Sequence, residues 1–143
     1  MLVLVQATVM TVGLDGKSEV LRPLPIRLIK MQSGQQAACS LKNEKVDSVI
    51  SKWNLPDMED GRFLRRFRLV RPEVPTIAIV KTGDRAQEIA ARSLGVTAVL
   101  SEDSDDELFA KTVANALGLK GTVTIKTISP VLSGKRSYDK VTR

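Results

Sequence analysis

Along the first hundred or so residues, apolar positions gather into five short runs separated by segments with helical spacing. Residues 2–12 (Leu-Val-Leu-Val-Gln-Ala-Thr-Val-Met-Thr-Val) are β-branched and apolar and contain a first strand, which Gly13-Leu14-Asp15-Gly16 breaks. Residues 26–31, 46–51, 76–81 and 97–100 read as four more strands. The run Thr76-Ile77-Ala78-Ile79-Val80 is almost wholly apolar, as a central parallel strand covered on both faces must be. Between the strands lie five helix candidates. The first, 17–24, is cut short by Pro23 and Pro25. The second runs from a Ser33 N-cap to about residue 44, with Ala37, Ala38 and Leu41 inward. The third spans 61–70, with Phe63, Leu64, Phe67 and Val70 at helical spacing. The fourth spans 84–94 and is closed by Gly95. The fifth, 104–117, has Asp105, Asp106 and Glu107 in its first turn, where the helix dipole favours acids. Five strands alternating with five helices predict a three-layer α/β fold, a doubly wound parallel sheet with right-handed crossovers.

Composition narrows the function classes. At 143 residues, 43% apolar and 27% charged, the chain suits one ordinary globular domain with a full core. Its net charge of +6 is uneven: beyond residue 119, six basic residues against Asp139 give +5, leaving a nearly neutral body. We therefore expect a folded domain over 1–119 and a basic tail over 120–143, partly disordered. Residues 2–5 and 122–128 also have strand character, so pairing of the two ends is an alternative. Histidine is absent, which excludes His-based acid–base catalysis, His metal ligation and a phosphohistidine relay. The single Cys39 excludes an internal disulfide and suits a reducing, cytoplasmic compartment; beside Ala38 it reads as a small core residue. No apolar run approaches the ~20 residues of a membrane span, and no basic region precedes the apolar start as in a signal peptide.

The informative stretch is 46–61. An apolar strand leads into a loop where Pro56 ends regular structure, and Asp60-Gly61 opens a helix. In open parallel sheets, such loops at the carboxyl ends of strands carry the chemistry. The stretch resembles the active-site loop of response-regulator receiver domains: an apolar strand, an Asp, a variable pair, then (Leu/Met)-Pro-x-Met-x-Gly. Leu55-Pro56, Met58 and Gly61 are present here, with one extra residue before the glycine. Three further correspondences stand in order: Ser33-Gly34-Gln35-Gln36-Ala37, Arg71-Pro72-x-x-Pro75, and Leu94-Gly95-Val96. The resemblance covers roughly residues 8–119 and implies the flavodoxin-like (CheY-like) strand order 2-1-3-4-5.

The same resemblance implies a phosphorylation site, and each of its positions has changed. Receivers hold Mg²⁺ on an acidic pair after the first strand; here the pair falls on Gly13 and Leu14, with Asp15 a displaced carboxylate. The phosphoacceptor Asp falls on Lys52, the hydroxyl after the fourth strand on Val80 (with Thr82 nearby), and the conserved Lys after the fifth on Glu102. An aromatic switch position falls on Val99. Phosphoryl transfer needs cations and a hydroxyl around the transferred oxygens, and lysine forms no acyl phosphate. The expectation is a non-enzymatic pseudo-receiver of two-component signalling, without Mg²⁺ or another cofactor, whose Lys52 and Glu102 form an inverted ion pair. Glu102 capping the following helix is the alternative.

Such a module works through an unidentified protein partner. The resemblance places partner contact and homodimerisation on the segments 84–94, 97–100 and 104–117, with Arg85, Glu88, Arg92, Val99, Glu107 and Lys111 as surface candidates. A rival is a nucleic-acid-associated regulator using the basic tail and the arginines of the third helix (Arg62, Arg65, Arg66, Arg68, with Arg71 after it); the plainer reading of those arginines is a solvated face. Trp53 is expected to pack over its own loop.

Overall fold

The computed structural model describes residues 7–118. The elements run β1 (Ala7–Val12), a 3-10 segment (Asp15–Leu21), β2 (Ile26–Met31), α1 (Gly34–Leu41), β3 (Ser48–Lys52), α2 (Arg62–Val70), β4 (Thr76–Val80), α3 (Arg85–Leu94), β5 (Ala98–Ser101) and α4 (Asp106–Leu117). All four strand pairs are parallel and the sheet order is β2-β1-β3-β4-β5, as expected. The stretches 2–5 and 122–128, and the basic tail, lie outside the described residues.

Strand periodicity divides the core in two. Successive side chains leave opposite faces of a strand, so Met10, Val12, Val49, Ala78 and Val80 join the side chains beneath α1, α2 and α3. Val9, Ile50, Ile77 and Ile79 pack on the other face with Leu21, Phe109 and Val113, beneath the 3-10 segment and α4. Apolar runs on both faces are what make the central strands continuous in hydrophobicity. No helix among the described residues is long and apolar enough to cross a membrane.

Four expectations need correction. The helix predicted over 17–24 is instead the 3-10 segment Asp15–Leu21, because Pro23 and Pro25 leave no room for the i→i+4 ladder to propagate. Ala38 and Cys39 are exposed rather than inward: α1 is eight residues long and sits on the sheet through Gly34 and Ala37, and the next two positions turn away. Val70, expected inward, is 72% exposed, since it ends α2 where the chain leaves the sheet. β3 extends one residue further than predicted, so Lys52 is a paired strand residue opposite Ile79.

Helix starts follow the side chains. Ser33, Asp84 and Asp105 accept from the backbone N–H of Gln36, Gln87 and Leu108, capping α1, α3 and α4; Asp105 takes the role considered for Glu102. α2 has no side-chain cap. Its entry uses two left-handed residues, Asp60 (φ 56°) and Gly61 (φ 69°). Asn54 Oδ1 accepts from Asp60 N–H at 2.6 Å, and Gly61 N–H donates to Trp53 O at 2.9 Å. Trp53 is buried over this loop, as expected, and a β carbon at Gly61 would lie 2.4 Å from its ring. Gly61→Ala therefore meets both a left-handed φ and a buried indole. It is expected to cost at least ~2 kcal/mol, read as a lower urea midpoint at unchanged slope.

Candidate functional site

The carboxyl ends of β1 and β3 and the loop after β5 enclose a small pocket of about 160 Å³. Its lining is Gly13, Leu14, Lys17, Lys52, Ile79 and Glu102. Sequence reasoning placed Gly13, Leu14, Lys52 and Glu102 together, and they are together. Lys52 Nζ stands 3.2 Å from Glu102 Oε2, with the two side chains 35% and 42% exposed. The sheet sets this distance: Glu102 N–H donates to Val80 O at 2.9 Å, and Lys52 is registered against Ile79 on the same strand. At that exposure the pair contributes only ~0–1 kcal/mol.

Two predicted positions are not brought in. Val80 is buried among the side chains beneath α1–α3 and does not line the pocket, because the last residue of β4 points to the opposite face from Ile79. Asp15 opens the 3-10 segment, but its side chain lies outside what the structure describes. Thr82, the alternative hydroxyl, is turned to Asp103 instead. Hydrogen bonds from Ser101 and then Thr82 hold the Asp103 carboxyl below its ordinary value, with a smaller contribution from the nearby Lys17 charge. Lys17 itself was missed: its ammonium donates to Ser104 O and lies 5.5 Å from the Phe109 ring centroid. Only the tight turn after β1 brings it there, and no periodicity announces that.

The pocket does not suit the Mg²⁺ that receivers hold. Magnesium wants hard oxygen ligands in octahedral array, whereas the described lining offers one carboxylate, already paired, and two ammonium groups. Gly13 has φ 74°, and a β carbon there would meet Leu55 Cδ2 at 2.8 Å and Lys52 Cδ at 3.7 Å. The space a side chain on residue 13 would need is thus filled by Leu55 from the loop after β3.

That loop also reaches α1. The Asp57 carboxylate accepts from Gly34 N–H and Gln35 N–H, each at 2.9 Å. These two bonds, Gly34 first, hold its pKa below the ordinary 3.8. Met58 packs so closely on Gly34 that a β carbon there would lie 2.5 Å from its sulfur.

On the far side, Arg85, Arg92, Glu107 and Lys111 are exposed, while Glu88 and Val99 are half-buried. Arg92 Nη2 pairs with Glu88 Oε2 at 3.0 Å along α3. Ile89 and Leu108 stand exposed on the same elements.

No protein-family model matches the chain. Among curated proteins it is similar to the transcriptional regulatory protein GlrR of Escherichia coli and to QseF of Escherichia coli O157:H7. Each is 27% identical over 90 residues, 63% of this chain and 20% of the relative. The chain thus aligns with about a fifth of the length of the curated relatives it matches. Among solved structures it resembles the signal receiver domain of an HD domain-containing protein from Pseudomonas fluorescens (TM-score 0.73, 24% identity, covering 86% of this chain and 95% of that one). It also resembles a CheY-like receiver domain protein from Methanospirillum hungatei (TM-score 0.72, 14% identity, 84% and 100%) and the chemotaxis regulator CheY4 of Vibrio cholerae (TM-score 0.69, 19% identity, 79% and 100%). The fold is that of CheY-like receiver domains.

Two outcomes are expected. In a double-mutant cycle on Lys52→Met and Glu102→Gln, the stability effects should be non-additive by a favourable coupling of up to ~1 kcal/mol. A carboxyl whose folded pKa is depressed stabilises above its unfolded value and loses that contribution on acidification. The gap in melting temperature between the parent and Asp57→Ala should therefore close as the pH falls from neutrality to below 3.8.

Proposed function

We propose that this receiver-fold chain is a pseudo-receiver. It accepts no phosphoryl group, binds no Mg²⁺, catalyses no phosphotransfer, and serves two-component-type signalling in the cytoplasm through contact with protein partners. The observation that carries the reading is the Lys52–Glu102 ion pair at 3.2 Å, standing where an acceptor carboxylate and a phosphate-binding lysine would face each other. An ammonium at the acceptor position offers no oxygen to phosphorylate. It also adds positive charge where a receiver places Mg²⁺. The closed space over Gly13 supports the same reading. The pair bridges β3 to the loop after β5 without a phosphoryl group to switch it. For self-association the reading keeps the face of α3, β5 and α4, where Ile89 and Leu108 add apolar area to the charged Arg85, Glu107 and Lys111.

Acetyl phosphate with MgCl₂, followed by intact-mass measurement of the full chain, tests this directly. We expect no phosphate adduct and no Mg²⁺-dependent rise in melting temperature; a stoichiometric adduct would overturn the proposal.

A further inference from the structure

α2 carries Arg62, Arg65, Arg66 and Arg68, and Arg71 follows at its C-cap. Among the described residues, none of the five pairs with a carboxylate. Arg65 donates to Asp60 O and lies over Trp53; Arg68 donates to Pro72 O. Arg62, Arg66 and Arg71 make no side-chain hydrogen bond among the described residues. Beside them, α1 and α2 part over an open groove of about 470 Å³. Its floor is Ala38, Leu41, Met58, Phe63, Phe67 and Val70, and cations edge it: Lys42 from α1, Arg66 and Arg71 from α2. At the same end, Leu69 (84%) and Val70 (72%) are the most exposed large apolar side chains described.

An apolar groove with a rim of one sign selects its occupant. A second copy docking groove to groove about a twofold axis would bring arginine against arginine, and the basic tail would be repelled in the same way. Phosphates would satisfy the arginines but leave the floor wet, since backbone recognition asks for no apolar seat. A helix with apolar side chains at i, i+3, i+4 and i+7, flanked by acids, satisfies both. We propose that the α1–α2 groove is a docking site for an acidic amphipathic helix of a partner protein. The site is separate from the α3–β5–α4 face. It rests on the pseudo-receiver reading only in taking the chain to work by protein contact.

The test screens the full chain against a displayed library of helical peptides about four turns long. Selected peptides are expected to combine spaced apolar residues with flanking Asp or Glu. A synthetic peptide from that set should bind saturably and lose roughly tenfold or more in affinity to the Arg66→Glu/Arg71→Glu variant. Val70→Ser and Ala38→Glu, both at exposed positions, should weaken it as well, whereas Arg85→Glu on α3 should not. Circular dichroism confirms that each variant is folded. The proposal is overturned if the library yields no binder, if the binders are neutral or basic, or if the groove variants leave affinity unchanged. It is equally overturned if a duplex oligonucleotide competes for the site with a steep salt slope and ignores Val70→Ser, which would assign the arginines to phosphate. None of these measurements reads phosphorylation, so the groove and the silent pocket stand or fall separately.

Discussion

The packing around the pocket and the groove depends on how residues 53–61 fold back on themselves. The Trp53 indole fills the space beside Gly61, and Gly61 N–H returns to Trp53 O. That closure lets α2 begin without a side-chain cap. It also fixes everything between: Leu55 over Gly13, Asp57 on the amides that start α1, Met58 against Gly34. One short loop thereby packs against Gly13 behind the pocket and supplies Met58 to the floor of the groove. Neither cavity is a property of the sheet alone.

Charge in the pocket is rearranged rather than removed. On the proposed correspondence to receivers, a carboxylate on the third strand would face a lysine beyond the fifth; Lys52 and Glu102 carry the opposite signs and stand at ion-pair distance. Lys17 also lines the pocket, and the Asp103 carboxylate nearby feels its charge. The pairing is local and solvated, so either sign order costs little at this place, whereas breaking a buried pair would cost several-fold more.

Most of the fold was legible in the sequence because double-sided strands and capped helices leave strong local marks. The apolar run 76–80, Ser33, Asp84 and the Asp105 cluster each announce one element boundary. The strand order was legible only through the motifs around Leu55-Pro56 and Arg71-Pro72. What periodicity missed has physical reasons. α1 is too short for its second alanine to bury, and the end of α2 overhangs the sheet, so Ala38 and Val70 obey helical spacing yet face water. Of the pocket, Lys52 and Glu102 were legible as a pair only through the receiver resemblance, which sets those two positions opposite each other. Lys17 was not, because a 3-10 turn places side chains by geometry no repeat encodes. The α1–α2 groove was invisible as well: its seat is made of residues that sequence alone assigns to the core.

Trp53 is the only tryptophan in the chain. Its indole is 2% exposed, in contact with the glycine that opens α2 and with the Arg65 guanidinium 5.4 Å from the ring centroid. It is also the immediate neighbour of Lys52. Excited where tyrosine does not absorb, the emission of this protein therefore originates in the loop between β3 and α2, which packs on Gly13 and gives Met58 to the groove. A blue-shifted spectrum is that of a dry indole packed on Gly61, and a red shift reports its exposure to water. The molecule comes with a built-in optical gauge of the loop that connects β3 to α2.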